Sequence, residues 1–270
     1  MWSRRSSRLS AITAADRAIG TERAAVSHIL DAAQVPRDGV VVVHSAFSGL
    51  SRDGFRAEAF IDALVERLRH GTLLMPAMTW RNVTPAAPDW DERQTRSHVG
   101  ILTEIFRTRY AETRSIHPTH SVSALGSAAR ELVADHYLDD TPCSPRSPWG
   151  RLAACNAYIL LLGIGFETCT ALHHAEEMVA PALYLKPPAE AVSYRCVARD
   201  GAVFSVRMRH HLRLNRDFPQ YDGRLERQGK LATGTLGATR WRLVSARTLI
   251  DDSLANLRAR PDAHIAAIGP

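Results

Sequence analysis

Ten residues, TCTALHHAEE (Thr168–Glu177), bring together two histidines, two glutamates, a cysteine and two threonines directly after the apolar run AYILLLGIG (Ala157–Gly165). Imidazole ionises near neutral pH, about 6.5 when unperturbed, so it is the side chain best suited to take a proton from a reacting group. With Thr170 as the N-cap of a helix, His173 and Glu176 fall at i and i+3 on one face. A carboxylate one turn away favours the charged imidazole, while the positive end of the helix dipole opposes it. His174 and Glu177 repeat the pairing, rotated by about 100°. Leu172, Ala175 and Val179 mark the stripe that faces the core, and His173 with Glu176 borders it. This places His173 and Glu176 at a cleft and His174 with Glu177 farther round, as a supporting or solvated pair.

Taken alone, an H-x-x-E spacing also fits a polar cluster that satisfies free helix N–H groups. Cys169, four residues before His173, is a thiol that a base could activate, but a lone buried cysteine is more often packing. No H-E-x-x-H motif and no distant Cys/His triplet accompanies the stretch, so no metal is expected.

The elements that must position this stretch follow an α/β pattern. Thr21–Val35 has apolar residues at helical spacing behind Thr21, and Gly39–Phe47 is a valine run between turn signals, which predicts a buried strand. RAEAFIDALVERLRHG reads as an amphipathic helix closed by Gly71, and TLLMPAMTW as the next strand. A helix over Gly100–Tyr110, a strand over Ser121–Leu125 and a helix over SAARELVADH continue the alternation. Asp140–Leu152, with three prolines, reads as a loop, and Ala157–Gly165 as the central strand. The fold class is therefore α/β, a mixed or parallel central sheet flanked by helices on both faces, with a small β-rich C-terminal portion around a hairpin turn at Asp200-Gly201. Residues 1–20 read as a basic tail and 21–270 as one domain.

The chain has 270 residues, 45% hydrophobic and 23% charged, with no apolar run near the ~20 residues that span a bilayer. The N-terminus has three early arginines without an apolar core, unlike a secretory signal. Cys143, Cys155, Cys169 and Cys196 show neither a C-x-x-C pair nor zinc-ligand spacing, which fits a reducing, cytoplasmic setting. The net charge of +6 is carried almost wholly by arginine, dispersed rather than interleaved with aromatics, so nucleic acid is not the expected partner. The seven Arg/Lys against three Asp/Glu between Phe204 and Lys230 read as a solvated outer face.

Taken together, VVVHSAFSGL, GTLLMPAMTW, SIHPTHSVSALG, SPWGRL and LLLGIGFETCTALHHAEE occur in an order that resembles the aminoglycoside 3-N-acetyltransferase family, from about Thr21 to the end. The resemblance implies an α/β enzyme, distinct from the GNAT acetyltransferases, that moves acetyl from acetyl-coenzyme A to an amine without a covalent enzyme intermediate. It implies His173 as general base with Glu176 orienting it. It also implies a coenzyme A channel bordered by His44, Ser45, Ala46 and Phe47, by Met75 and Pro76, and by His117, Thr119 and Ser121. Glu167 stands where the family usually has an Asp near the incoming amine, and Trp80, Asp91 and Glu104 join it as candidate acceptor contacts. Asp53, Asp89 and Glu92 are further local acids.

Three departures stand out: Ala46 for a usual Ser, Cys169 for a usual Asn, and His174 for a usual apolar residue. The basic charge is also unlike members that hold polycationic drugs with carboxylates. The expected function is acetyl-CoA-dependent N-acetylation of an aminoglycoside, giving antibiotic resistance, with no membrane partner and with room for a homodimer. Acetylation of another amino sugar, and a coenzyme A or polyanion-binding module without turnover, are the alternatives.

Overall fold

The computed structural model describes residues 20–267; the expected basic tail lies, but for Gly20, outside them. Helix α1 occupies residues 20–32. The valine run forms β1 (Val40–Ser45), with β2 (Thr72–Pro76) on one side and β6 (Tyr158–Leu162) on the other, both parallel to it. Val40 and Val42 face one apolar core and Val41 and Val43 the other. Burial on both faces is why this strand reads as an uninterrupted apolar run rather than an alternating one. The crossover from β1 to β2 runs through α2 (Ser48–Arg52) and α3 (Ala57–Arg67), and α3 buries Phe60, Ile61 and Leu64.

Antiparallel strands complete the sheet. β5 (Val122–Gly126) and β4 (Thr113–Arg114) extend it beyond β2, while β10 (Thr239–Ser245) and β9 (Ala232–Leu236) extend it beyond β6. The order is β4-β5-β2-β1-β6-β10-β9, a mixed seven-stranded sheet. Helices α4 (Ile101–Arg109), α5 (Ala129–Val133), α7 (Ala171–Val179) and α10 (Ala246–Ala259) cover it. The expected hairpin is present, with Gly201 at φ +89° joining β7 (Val192–Val197) to β8 (Val203–Met208). A third strand, β3 (Asp89–Asp91), pairs with β7 to close a separate small sheet over Trp90, Tyr194, Val206 and Met208.

The proline-rich segment is not all loop. Ser147 accepts the Gly150 N–H at 3.1 Å and Pro148 stands at the first helical position, so the chain turns into the short α6 (Pro148–Arg151). The turn after β6 needs glycine: Gly163 has φ +69°, and a Cβ there would lie 2.6 Å from the Ala46 carbonyl. Short elements α8 (Pro181–Tyr184) and α9 (Gln220–Arg227) lead from α7 towards the C-terminal strands.

Candidate active site

α7 starts at the C-terminal end of β6, with Thr170 at its N-cap position but without a side-chain cap bond. Ala171, Leu172 and Ala175 bury one stripe of the helix, which leaves His173 at its border with 18% of its side chain exposed. His173 Nδ1 lies 2.7 Å from Glu176 Oε2. Burial alone would raise the Glu176 carboxyl. The His173 charge and hydrogen bond, a hydrogen bond from His264 and the Arg216 charge outweigh it and hold the group well below the usual carboxylate range. An ionised Glu176 can only accept, so His173 Nδ1–H donates, and the neutral form of the ring carries its lone pair on Nε2. No other hydrogen bond to the ring occurs among the described residues.

Glu176 is fully buried and serves three partners. Arg216 Nε lies 2.9 and 3.1 Å from its two oxygens, and His264 Nδ1 3.2 Å from Oε1. His264 is fixed in turn by Tyr221 Oη at 2.7 Å and Ser253 Oγ at 3.2 Å. The His173 ring stands edge-on to Phe218 and stacks on His211, 4.3 Å away at 23°. Arg216, His264 and His211 all come from the chain beyond β8. The expected solvated basic face between Phe204 and Lys230 is therefore corrected at Arg216, which the buried Glu176 carboxylate draws inward, and at the buried Phe218, Tyr221 and Leu225.

Of the two readings of His174 and Glu177, supporting or solvated, the solvated one is corrected by their burial. His174 is buried with Nδ1 2.7 Å from the Cys143 carbonyl. Glu177 accepts from Thr141 Oγ1 (2.6 Å), the Cys143 N–H (2.9 Å) and His211 Nε2 (2.8 Å). Burial pushes its carboxyl up to about 7. Cys169 is buried, and burial pushes its thiol up to about 12, which leaves almost no thiolate at neutral pH.

The ends of β1, β2 and the 117–121 loop approach this network. The His44 ring is 5.7 Å from Trp149, whose Nε1–H donates to the His120 carbonyl at 3.3 Å, and the His120 ring is 5.6 Å from His211. Burial lowers His44 to about 4. His117 is buried too, its Nδ1 accepting the Thr119 and His120 N–H groups. Thr119 Oγ1 is 2.8 Å from His120 Nδ1, and Ser121 Oγ accepts from Arg114 and donates to the Ala77 carbonyl. The side chains of Phe47, Met75 and Pro76 are buried, Phe47 and Met75 within the apolar core, while Ser45 and Ala46 are partly exposed.

The acidic candidates do not all converge: Asp91, Glu92 and Glu104 lie within charge range of the buried Arg114, and the rest stand elsewhere. Glu167 caps its own turn at Gly165 (2.8 Å) and lines a polar cleft of about 440 Å³ together with Arg52, Arg240 and Arg242. Glu104 is tied to Arg107 and the Ser97 N–H, and Asp91 accepts the Arg93 and Gln94 N–H groups. Asp89 faces Arg195, Glu92 faces Arg199, and Asp53 caps the turn at Ala238. A second cleft, about 450 Å³, is lined by Glu92 and five arginines, Arg114 among them. His173 lines neither cleft, so chemistry rather than cavity size places the site. Trp80 is exposed and stands edge-on to His98, one residue beyond Thr79, which pairs with Thr119.

A buried carboxylate that orients a partly exposed imidazole, at the C-terminal end of a central strand in a mixed α/β sheet, is the frame of a general acid–base catalyst. The model of the family described as aminoglycoside 3-N-acetyltransferase matches residues 42–257, and the chain belongs to that family. It is 33% identical over 156 residues to aminoglycoside N(3)-acetyltransferase VII of Streptomyces paromomycinus, a match that covers 51% of this chain and 54% of that protein. The chain thus spans about half the length of that curated relative. Aminoglycoside N(3)-acetyltransferase IV of a Salmonella species is 27% identical over 224 residues, 83% of this chain and 82% of that protein. Among solved structures, a mutant of aminoglycoside acetyltransferase AAC(3)-IVa in complex with a gentamicin superposes with a TM-score of 0.72 at 26% identity, covering 91% of each chain.

Proposed function

We propose that the chain transfers acetyl from acetyl-coenzyme A directly to the 3-amino group of an aminoglycoside, with His173 as general base and Glu176 as its orienting group. The observation that carries this reading is the His173 Nδ1–Glu176 Oε2 bond at 2.7 Å, which directs the Nε2 lone pair away from the carboxylate. The amine nitrogen bonds to the thioester carbonyl carbon while its proton passes to Nε2. The carbon–sulfur bond then breaks and the coenzyme A thiolate leaves and is protonated. Ionised Glu176 stabilises the imidazolium formed on the way. The buried, protonated Cys169 supports direct transfer over a thioester on the enzyme. This reading makes the protein a cytoplasmic resistance enzyme.

One observation favours a less cationic amino sugar as acceptor: Glu167, the expected contact of the amine, stands among Arg52, Arg240 and Arg242 in a cleft that His173 does not line, so it offers a polycation little net negative charge. A thiol-release assay with gentamicin, apramycin, sisomicin and simple amino sugars separates the two acceptors. Release with none of them, while coenzyme A still binds, would leave only a binding module.

A further inference from the structure

Beside the His173–Glu176 pair lies a second cluster drawn from three separate segments. Cys143 comes from the loop before α6, Glu177 from α7 and His211 from the stretch after β8. The Cys143 Sγ, a Glu177 carboxylate oxygen and a His211 ring nitrogen all lie within 4.8 Å of one another. Cys143 is fully buried, and the Glu177 and His211 side chains are 3% and 9% exposed.

Thiolate sulfur, imidazole nitrogen and carboxylate oxygen are the zinc donor set. One donor, the Glu177 carboxylate, and the loop that carries Cys143 are also held in place, as the surroundings of metal ligands are. Thr141 Oγ1 holds Glu177 Oε2 at 2.6 Å, the Cys143 N–H holds Oε1 at 2.9 Å, and His174 Nδ1 is 2.7 Å from the Cys143 carbonyl. Charge points the same way. The buried carboxylate of Glu176 has Arg216, whereas Glu177 has no arginine or lysine partner among the described residues. A cation would offset the burial of this carboxylate, which otherwise rests on its three hydrogen bonds. No local spacing betrays the grouping, because its members stand 34 residues apart at each step (143, 177, 211).

We infer that Cys143, Glu177 and His211 bind one divalent cation of the zinc class. Binding replaces the thiol proton and the proton between Glu177 and His211, both released to solvent.

The test uses the full chain, stripped with a chelator, dialysed and titrated with Co²⁺ and then Zn²⁺. Expected are one equivalent bound, a thiolate-to-cobalt charge-transfer band in the near ultraviolet, and its loss on zinc addition. Cys143→Ser should remove the band and weaken zinc binding at least tenfold, His211→Gln should weaken it likewise, and Cys169→Ser should change neither. Circular dichroism confirms that each variant is folded. No zinc bound at micromolar concentration, or equal affinity in folded Cys143→Ser, overturns the site. A chain that acetylates nothing still yields the metal readout, so failure of the proposed function remains distinguishable.

Discussion

Arg216 Nε sits 2.9 Å from one oxygen of Glu176 and 3.1 Å from the other, so a residue from the C-terminal third neutralises the carboxylate that orients His173. Glu176 is fully buried and the Arg216 side chain 13% exposed. Removing one member of such a pair strands the other charge, at a cost of about 3 kcal/mol or more. Arg216→Met, which keeps most of the volume, should therefore lower stability by that order in denaturant unfolding. Arg216→Lys should recover part of it, because an ammonium cannot match the planar guanidinium. An unfolding midpoint unmoved in Arg216→Met would mean that the ion pair contributes nothing.

His173→Ala should reduce kcat by about 10²- to 10⁴-fold while acetyl-coenzyme A still protects the fold in a thermal-shift assay. Glu176→Gln should reduce it less, since the base remains and only its orientation and basicity suffer. His174→Ala should act mainly on stability: His174 is buried with Nδ1 on the Cys143 carbonyl, and its loss leaves that acceptor unpaired. A dead His174→Ala enzyme beside an active, folded His173→Ala would reassign the base.

Cys169→Ala should retain most of the activity. Intact-mass spectrometry of the wild-type chain during turnover should show no adduct of acetyl mass on Cys169, because its thiol is pushed up to about 12 and offers almost no nucleophile. A trapped thioester at this residue would replace direct transfer with a two-step mechanism.

Local signals and long-range ones divide the legible from the illegible. The Val40–Val43 run announces β1 because both faces of a central strand are apolar, and the i, i+3 spacing announces the His173–Glu176 pair because helix geometry is local. Arg216 and His264 stand 40 and 88 residues from Glu176, and no periodicity connects them to it. The three residues of β3 are too few to carry an alternating pattern, so the small sheet announces only its β7–β8 hairpin. Arg216 passes for surface charge because an arginine bound to a buried carboxylate reads in sequence like any other.

Stability should fall on acidification from pH 7 to 5, measured as the thermal midpoint with a chelator present so that no bound cation contributes. Burial lowers His44 to about 4 and His136 to about 3, and it holds His117 well below its ordinary value of 6.5. In each case the unfolded state binds the proton more readily. These histidines therefore contribute fully above about pH 6.5 and lose their contribution as pH falls below it, on the order of 1 kcal/mol per histidine per pH unit. Two carboxyls act in the opposite sense. Burial raises Asp139 to about 6 and Glu177 to about 7, so each penalises the fold at neutral pH and the penalty is relieved on acidification. His98, His120, His174, His210 and His211, all lowered by burial, add to the histidine side, so eight groups oppose two and the net slope is downward. His44→Asn should flatten the curve between pH 6.5 and 5 relative to the wild type. A midpoint that rises on acidification would show that the carboxyls, not the buried histidines, set the response.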